Sequence, residues 1–402
     1  MRAARLIALL LALLMLAGCA AQQAPAVSPA ESETPAEVAS PDEEQTPDLI
    51  IESTPCPHPS WENGRCTACG YRCPHTMHDL ETKRCLVCGK AVPHCFLMGF
   101  CSRCGVEPQF EFGHVPREMF EPCENKGTVQ MISYTTTDYR EGPHGEAPGK
   151  ITKQMAVYLP YGYDPAERYD VLILLHGMGG NEEYWLSSAQ DYDFPSGDMV
   201  KTTDLLDNMI DSVSCRPMIV VAPTFYRNSK NPNDYDYETD RDYFAYELKD
   251  SILPALARIY STWAEDGSIE SITKAREHFA FAGLSQGSIY VYTSILPDCL
   301  DCFAWFGAFS ASYGNMAQLA RKLNSPPDRE LPIYMFYNGI GTRDGFYGQQ
   351  KNNYTRLVNN AAPLIDGDNA YFHEYEGLTH VYSAWSLGLY NFLPLLFSTT
   401  VP

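Results

Sequence analysis

Four short apolar runs constrain the fold more than any other feature of the 402-residue chain. "YDVLILLHG" (Tyr169–Gly177), "PMIVVAP" (Pro217–Pro223), "HFAFAG" (His278–Gly283) and "LPIYMFYNG" (Leu331–Gly339) hold few polar residues and each ends at glycine or proline. A strand with water on one face alternates in polarity, whereas a strand covered on both faces need not. The runs therefore predict central strands of a sheet packed on both sides. "KQMAVYLP" (Lys153–Pro160) alternates and predicts a half-buried strand, and "NAYFHEYEG" also reads as a strand. Helical stretches such as "FAYELKDSILPALARIY" (Phe244–Tyr260) lie between the runs. Strands alternating with helices imply a doubly wound, mainly parallel α/β sheet with its ligand site at the carboxyl ends of the strands.

The run "HFAFAG" leads directly into "LSQGSIYVYTSIL", giving Gly283-x-Ser285-x-Gly287 between a strand and a helix. G-x-S-x-G is weak as a bare pattern, but this strand–turn–helix context is what a nucleophile elbow requires, with the glycines letting the chain turn without side-chain clash. A serine hydroxyl needs a base, and the base an orienting acid. His380, beyond the last strand, and Asp344, in the loop after "LPIYMFYNG", follow in the order Ser, Asp, His. Asp301, Asp366 and Glu376 are rival acids; His373 is a rival base, but it falls inside a strand and is expected to point into packing. "LLHGMGG" supplies small residues after a central strand, so the Met178 amide, paired with that of Gln286, is the expected oxyanion hole. His176 is expected to hydrogen-bond that loop. Tyr184, Trp185, Phe225, Tyr226, Phe346 and Tyr347 are candidate rings for stacking on a substrate, and Trp185, Phe225, Tyr226 and Tyr347 carry that expectation forward. Trp385 is expected in the core.

"KQMAVYLPYGYDPAERYDVLILLHGMGG", "PMIVVAP", "AFAGLSQGS", "GTRD" and "GLTHVYSAWSLGLYNFLPLLF" stand in the order and approximate spacing of the esterase D-like carbohydrate esterases. The chain resembles that family, which includes feruloyl and acetylxylan esterases, over roughly Thr128 to Phe397. The resemblance implies an α/β-hydrolase fold, Ser285 as nucleophile, Asp344 as acid, His380 as general base, and the Met178 and Gln286 amides as oxyanion hole. It also implies a plant cell-wall polysaccharide ester as substrate and no cofactor for catalysis. Ser288, where many members carry glycine, and Val381, where an acidic residue often stands, depart from the pattern without touching the triad. The first expectation is a feruloyl esterase acting on xylan-linked ferulate. An acetylxylan or other short-acyl esterase is the alternative, followed by an acyltransferase of the same fold and a non-catalytic surface binder.

Upstream of the catalytic region the chain changes character three times. Residues 1–19 pair Arg2 and Arg5 with a short apolar run ending in Leu16-Ala17-Gly18-Cys19, which reads as a lipoprotein signal peptide with a lipobox, Cys19 being the lipid-modified residue. The expected location is therefore extracytoplasmic, on a bacterial membrane. Residues 20–55 are acidic and rich in Pro, Ala, Ser and Thr, the composition of a disordered linker. Residues 56–105 hold nine of the 14 cysteines in a repeat, each copy ending in Cys-x-x-Cys-Gly. Such knuckles with recurring histidines suit structural zinc. The expected ligands are Cys56, His58, Cys66 and Cys69 in the first copy; Cys73, His75, Cys85 and Cys88 in the second; and Cys95, Cys101 and Cys104, with His94, in the third. Disulfides are the competing reading, and docking to a protein or surface is a possible task for the module. The catalytic domain is expected over 124–402. The formal charge of −21 repels polyanions and argues against nucleic acid as partner.

Overall fold

The computed structural model describes residues 114–397, except 142–148, 193–197, 229 and 232–233, together with six two-residue strands between residues 61 and 101. The chain divides after Pro55, and every described residue belongs to the second unit. The signal sequence, Cys19, the linker and the cysteine and histidine side chains of the repeats lie outside the described residues.

Strands β1 (Thr128–Thr137), β2 (Lys150–Leu159), β3 (Asp170–Leu175), β4 (Met218–Ala222), β5 (Phe279–Leu284), β6 (Trp305–Phe309), β7 (Met335–Gly341) and β8 (Ala370–Tyr375) form one sheet in the order β8-β7-β6-β5-β3-β4-β2-β1. From β4 to β8 all neighbours are parallel; β1 and β2 form an antiparallel edge, and β2 is antiparallel to β4. The crossovers carry helices α1 (Thr202–Asp211), α2 (Tyr237–Glu247, continuing through a π-turn into Leu253–Ile259), α3 (Gln286–Tyr290), α4 (Met316–Leu323) and α5 (Tyr347–Val358), and α6 (Tyr382–Phe392) follows the last strand.

The unbroken apolar runs are explained by β3. Val171, Ile173 and Leu175 enter the core on one face with Phe281, Leu248 and Leu256, while Leu172 and Leu174 enter the other with Leu205, Trp185 and Leu389. Each position is wholly buried, so no polar residue is tolerated on either side. The β2 run is a correction to the half-buried expectation: all residues from Met155 to Leu159 are buried. Met155 and Val157 pack with α2, whereas Ala156 and Tyr158 pack with the α1 side, because this antiparallel strand still has a layer on each face.

In the upstream segment Trp61–Glu62 pairs with Arg65–Cys66, His78–Asp79 with Arg84–Cys85, and Phe96–Leu97 with Phe100–Cys101, each antiparallel. Each of these three hairpins ends its second strand on the first cysteine of a Cys-x-x-Cys-Gly. No helix among the described residues is long and apolar enough to cross a membrane.

Candidate active site

Ser285 follows β5 at once and caps α3 with φ of 51° and ψ of −114°, backbone that a non-glycine residue seldom adopts. The two motif glycines are required for a different reason. A Cβ on Gly283 would lie 2.4 Å from the Gly287 carbonyl, and one on Gly287 would lie 2.5 Å from the Leu175 carbonyl. The strain thus falls on the serine, while the glycines let α3 close onto β5 and β3. The Ser285 N–H donates to the Phe309 carbonyl (2.8 Å), which fixes the turn against β6.

Ser285, His380 and Asp344 come together in one hydrogen-bonded line. His380 Nε2 lies 2.9 Å from Ser285 Oγ, and His380 Nδ1 lies 2.8 Å from Asp344 Oδ2. The Asp344 side chain is fully buried, and its other oxygen accepts the Phe346 N–H at 2.9 Å. A carboxylate there only accepts, so Nδ1 carries the proton and Nε2 is left as the acceptor for the serine hydroxyl. The loops bearing the acid and the histidine are joined by backbone: Thr342 N–H donates to Tyr375, and Arg343 N–H donates to Leu378. Three of the four rival residues are engaged elsewhere. His373 Nδ1 contacts the Tyr337 hydroxyl (3.0 Å), and burial pulls its pKa down to about 4. Asp301 pairs with Lys249, and Asp366 accepts from Tyr354.

The loop after β3 is held at several points. His176 Nδ1 lies 2.7 Å from the Gly177 carbonyl, and its Nε2 lies 2.8 Å from Thr224 Oγ1. The carbonyl can only accept, so Nδ1 donates and the threonine hydroxyl donates to Nε2; burial, pulling the His176 pKa down to about 3, keeps the ring neutral. Gly177 C=O and Met178 N–H belong to one trans peptide and point in opposite directions. Holding the carbonyl on the buried histidine therefore turns the Met178 N–H outward. Gly179 N–H donates to the Tyr226 hydroxyl (2.7 Å), and Gly180 N–H returns to the Gly177 carbonyl. No described hydrogen bond uses the Met178 or Gln286 N–H. Beneath the loop, Lys153 donates to the Thr224 carbonyl and to Glu247 (2.8 Å each), which also accepts from Tyr134. A buried ion pair thus supports the threonine that supports His176.

Three of the expected substrate rings are corrections. Trp185 is fully buried, with its Nε1 donating to the Leu175 carbonyl. Phe225 is buried and stacks on His176 at 4.3 Å. Tyr226 is buried beneath the loop that its hydroxyl holds. All three lie in the segments that follow β3 and β4, whose ends shape the site, and packing there uses the same residue types as ligand contact. Tyr347 is half-buried and engages Glu374 and Lys351. The rings facing the base are Phe346, 5.3 Å from His380, and Trp385, edge-on at 5.1 Å with its indole N–H unpartnered. Trp385 packs half-buried against the core, as expected, and its place five residues after His380, near the start of α6, was the available signal that it also faces the base. Cys299 and Cys302 are buried free thiols.

The sheet order, the crossover helices and this site define an α/β-hydrolase fold. No family model matches the chain. It is 28% identical over 308 residues to endo-1,4-beta-xylanase Y of Acetivibrio thermocellus, covering 72% of this chain and 25% of that protein. It is 28% identical over 189 residues to an endo-1,4-beta-xylanase/feruloyl esterase of Xylanibacter ruminicola, covering 42% of this chain and 22% of that one. The chain thus spans about a quarter of these relatives. Among solved structures, a serine-to-alanine mutant of the feruloyl esterase module from Clostridium thermocellum, complexed with sinapinate, matches with a TM-score of 0.59 and 26% identity, over 73% of this chain and 96% of that module. A ferulic acid esterase from Anaeromyces mucronatus in complex with ferulic acid matches with a TM-score of 0.52 and 21% identity, over 72% of this chain and 99% of that one, a likeness of fold.

Proposed function

We propose that the protein is a serine carboxylic-ester hydrolase that releases ferulate-type acids from esters on plant cell-wall xylan. The observation that carries this reading is the Ser285–His380–Asp344 hydrogen-bonded line beside two unused backbone N–H groups, in a fold similar along nearly its whole length to a feruloyl esterase module. In this reading Ser285 Oγ attacks the ester carbonyl carbon while its proton passes to His380 Nε2. The carbonyl oxygen becomes an oxyanion held by the Met178 and Gln286 N–H groups. The imidazolium, stabilised by Asp344, returns the proton to the departing sugar alcohol as the C–O bond breaks. Water then attacks the acyl-enzyme, giving its proton to His380, and the free acid leaves as Ser285 is reprotonated. Phe346 and Trp385 flank His380 and are the rings proposed to border the acyl group.

The test compares the full chain with Ser285→Ala on methyl ferulate and on acetylated xylan. Release of ferulate by the wild type, lost in the variant, is the expected result. Acetate release alone would move the substrate class to acetylxylan, and no release of either acid from folded protein would overturn the reading.

We also propose one structural zinc ion per cysteine repeat. The equivalent register of Cys66, Cys85 and Cys101 in the three hairpins supports it, because a hairpin followed by Cys-x-x-Cys brings two thiolates to one turn. A lipid anchor at Cys19, and docking through the repeats, belong to the same proposal for the upstream segment.

A further inference from the structure

The face between α4 and α5 carries a groove of about 920 Å³, within the size range of ligand sites. It starts at the loop after β6, with Tyr313 and Asn315, and continues between the helices past Arg321, Gln349, Asn353 and Arg356. This loop begins beside the proposed nucleophile: the Phe309 carbonyl accepts from Ser285, and the Ala311 carbonyl accepts from the Ser288 hydroxyl (2.5 Å). On the other wall, α5 begins three residues after Asp344.

Two properties of the groove point to one kind of ligand. The protein has 50 acidic against 29 basic side chains, yet no lining residue of the groove is acidic. Arg321 and Arg356 lie exposed on facing helices, and no described residue forms an ion pair with either. Elsewhere Arg140 and Arg227 are engaged by Asp138, Asp234 and Asp240. Guanidinium forks without a protein carboxylate, in an acid-free groove of an acidic molecule, suit carboxylates brought by the ligand. The other lining groups suit hydroxyls. Asn315 uses Oδ1 to cap α4, which leaves its amide donors; Asn353 donates to Ser312, which leaves its carbonyl oxygen. Gln349 is exposed, and Tyr313, 43% exposed, offers a ring face for a pyranose.

We propose that this groove is a second carbohydrate site, which binds a polysaccharide strand bearing uronic-acid carboxylates at Arg321 and Arg356. That the strand is a xylan rests on the esterase reading above; the preference for an acidic over a neutral glycan rests on the groove alone. Such a site would hold the decorated polymer on the flank of the domain and raise the local concentration of its esters near Ser285.

The test titrates ester-free xylo-oligosaccharides, with and without one uronic-acid branch, into the full chain carrying Ser285→Ala, by calorimetry at low and high salt. The expected result is at least tenfold tighter binding of the branched acid, weakened by salt. Arg321→Ala and Arg356→Ala should each lower that affinity about tenfold, while leaving methyl ferulate hydrolysis unchanged in chains that retain Ser285. Equal binding of both glycans, or binding indifferent to both substitutions, overturns the proposal. A wild type that binds the acidic glycan with this arginine dependence but cuts no ester refutes the esterase reading and leaves the groove assignment standing.

Discussion

Asp344 has no spare oxygen: one accepts from the Phe346 N–H, the other from His380. Asp344→Asn would place an amide where only an acceptor fits and favour the wrong imidazole tautomer, so kcat on methyl ferulate should fall about 10⁴-fold; a loss under tenfold would refute the assigned role. The neighbouring buried histidine works through neutrality. Burial pulls the His176 pKa down to about 3 in the folded protein, against about 6.5 in an unfolded chain. Between these values the unfolded state binds more protons, so stability is full above about pH 6.5 and falls as pH drops, by roughly 1.4 kcal/mol per pH unit for this residue. His373, held at about 4, adds to the same acid-side loss. Urea midpoints measured from pH 7 to 4 should decline, and His176→Asn should reduce the slope by about one proton. An unchanged slope would show that His176 is not the buried neutral group described. At this scale the serine, acid and base were legible, because G-x-S-x-G after a buried run and the order Ser, Asp, His are local signals. The rings were not: Trp185, Phe225 and Tyr226 lie in the segments after β3 and β4, where a substrate contact would also lie, and only burial shows that they pack.

The contact of α3 with β3 and β5 depends on the absence of a single atom. Gly287→Ala would set a methyl group 2.5 Å from the Leu175 carbonyl and 2.7 Å from that of His176. Backbone cannot yield there cheaply, so the expected cost is about 1–3 kcal/mol, with kcat/KM falling further because the elbow and the oxyanion loop shift together. Thermal unfolding and methyl ferulate kinetics on one preparation check both. The link between β2 and α2 is the buried Lys153–Glu247 pair, whose lysine also donates to Thr224. Lys153→Met strands the glutamate charge and should destabilise by about 3–5 kcal/mol, whereas Lys153→Met with Glu247→Leu should recover most of it. Failure of the double variant to recover would mean that the lysine matters through Thr224 and not through its charge partner. Strands rich in buried apolar residues were legible at this scale. Strand β1, with "TVQMISYTTT" mostly exposed, and β6, the short "WFGAF" run, were not singled out, because neither combines length with an unbroken aliphatic run.

Across the whole molecule, all the reacting groups proposed lie in the described sheet domain and none in the cysteine repeats. If the repeats bind zinc as proposed, dialysis of the full chain against a chelator should remove one zinc ion per repeat while leaving kcat on methyl ferulate unchanged; loss of this activity in step with the metal would show that the two parts are coupled. The sequence by itself determined the alternation of buried strands and helices, the tight turn at Ser285, and which three side chains to test, because each buried run and the G-x-S-x-G motif is written in neighbouring residues and the triad follows them in chain order. Only the tertiary structure decided that His380 and Asp344 meet that serine, that His176 fixes the Met178 peptide through Gly177, and that two arginines face one acid-free groove. The triad and the arginine pair join residues tens of positions apart, and the His176 ring is set by Thr224, 48 positions away; such distances follow from how the elements pack and not from any local pattern.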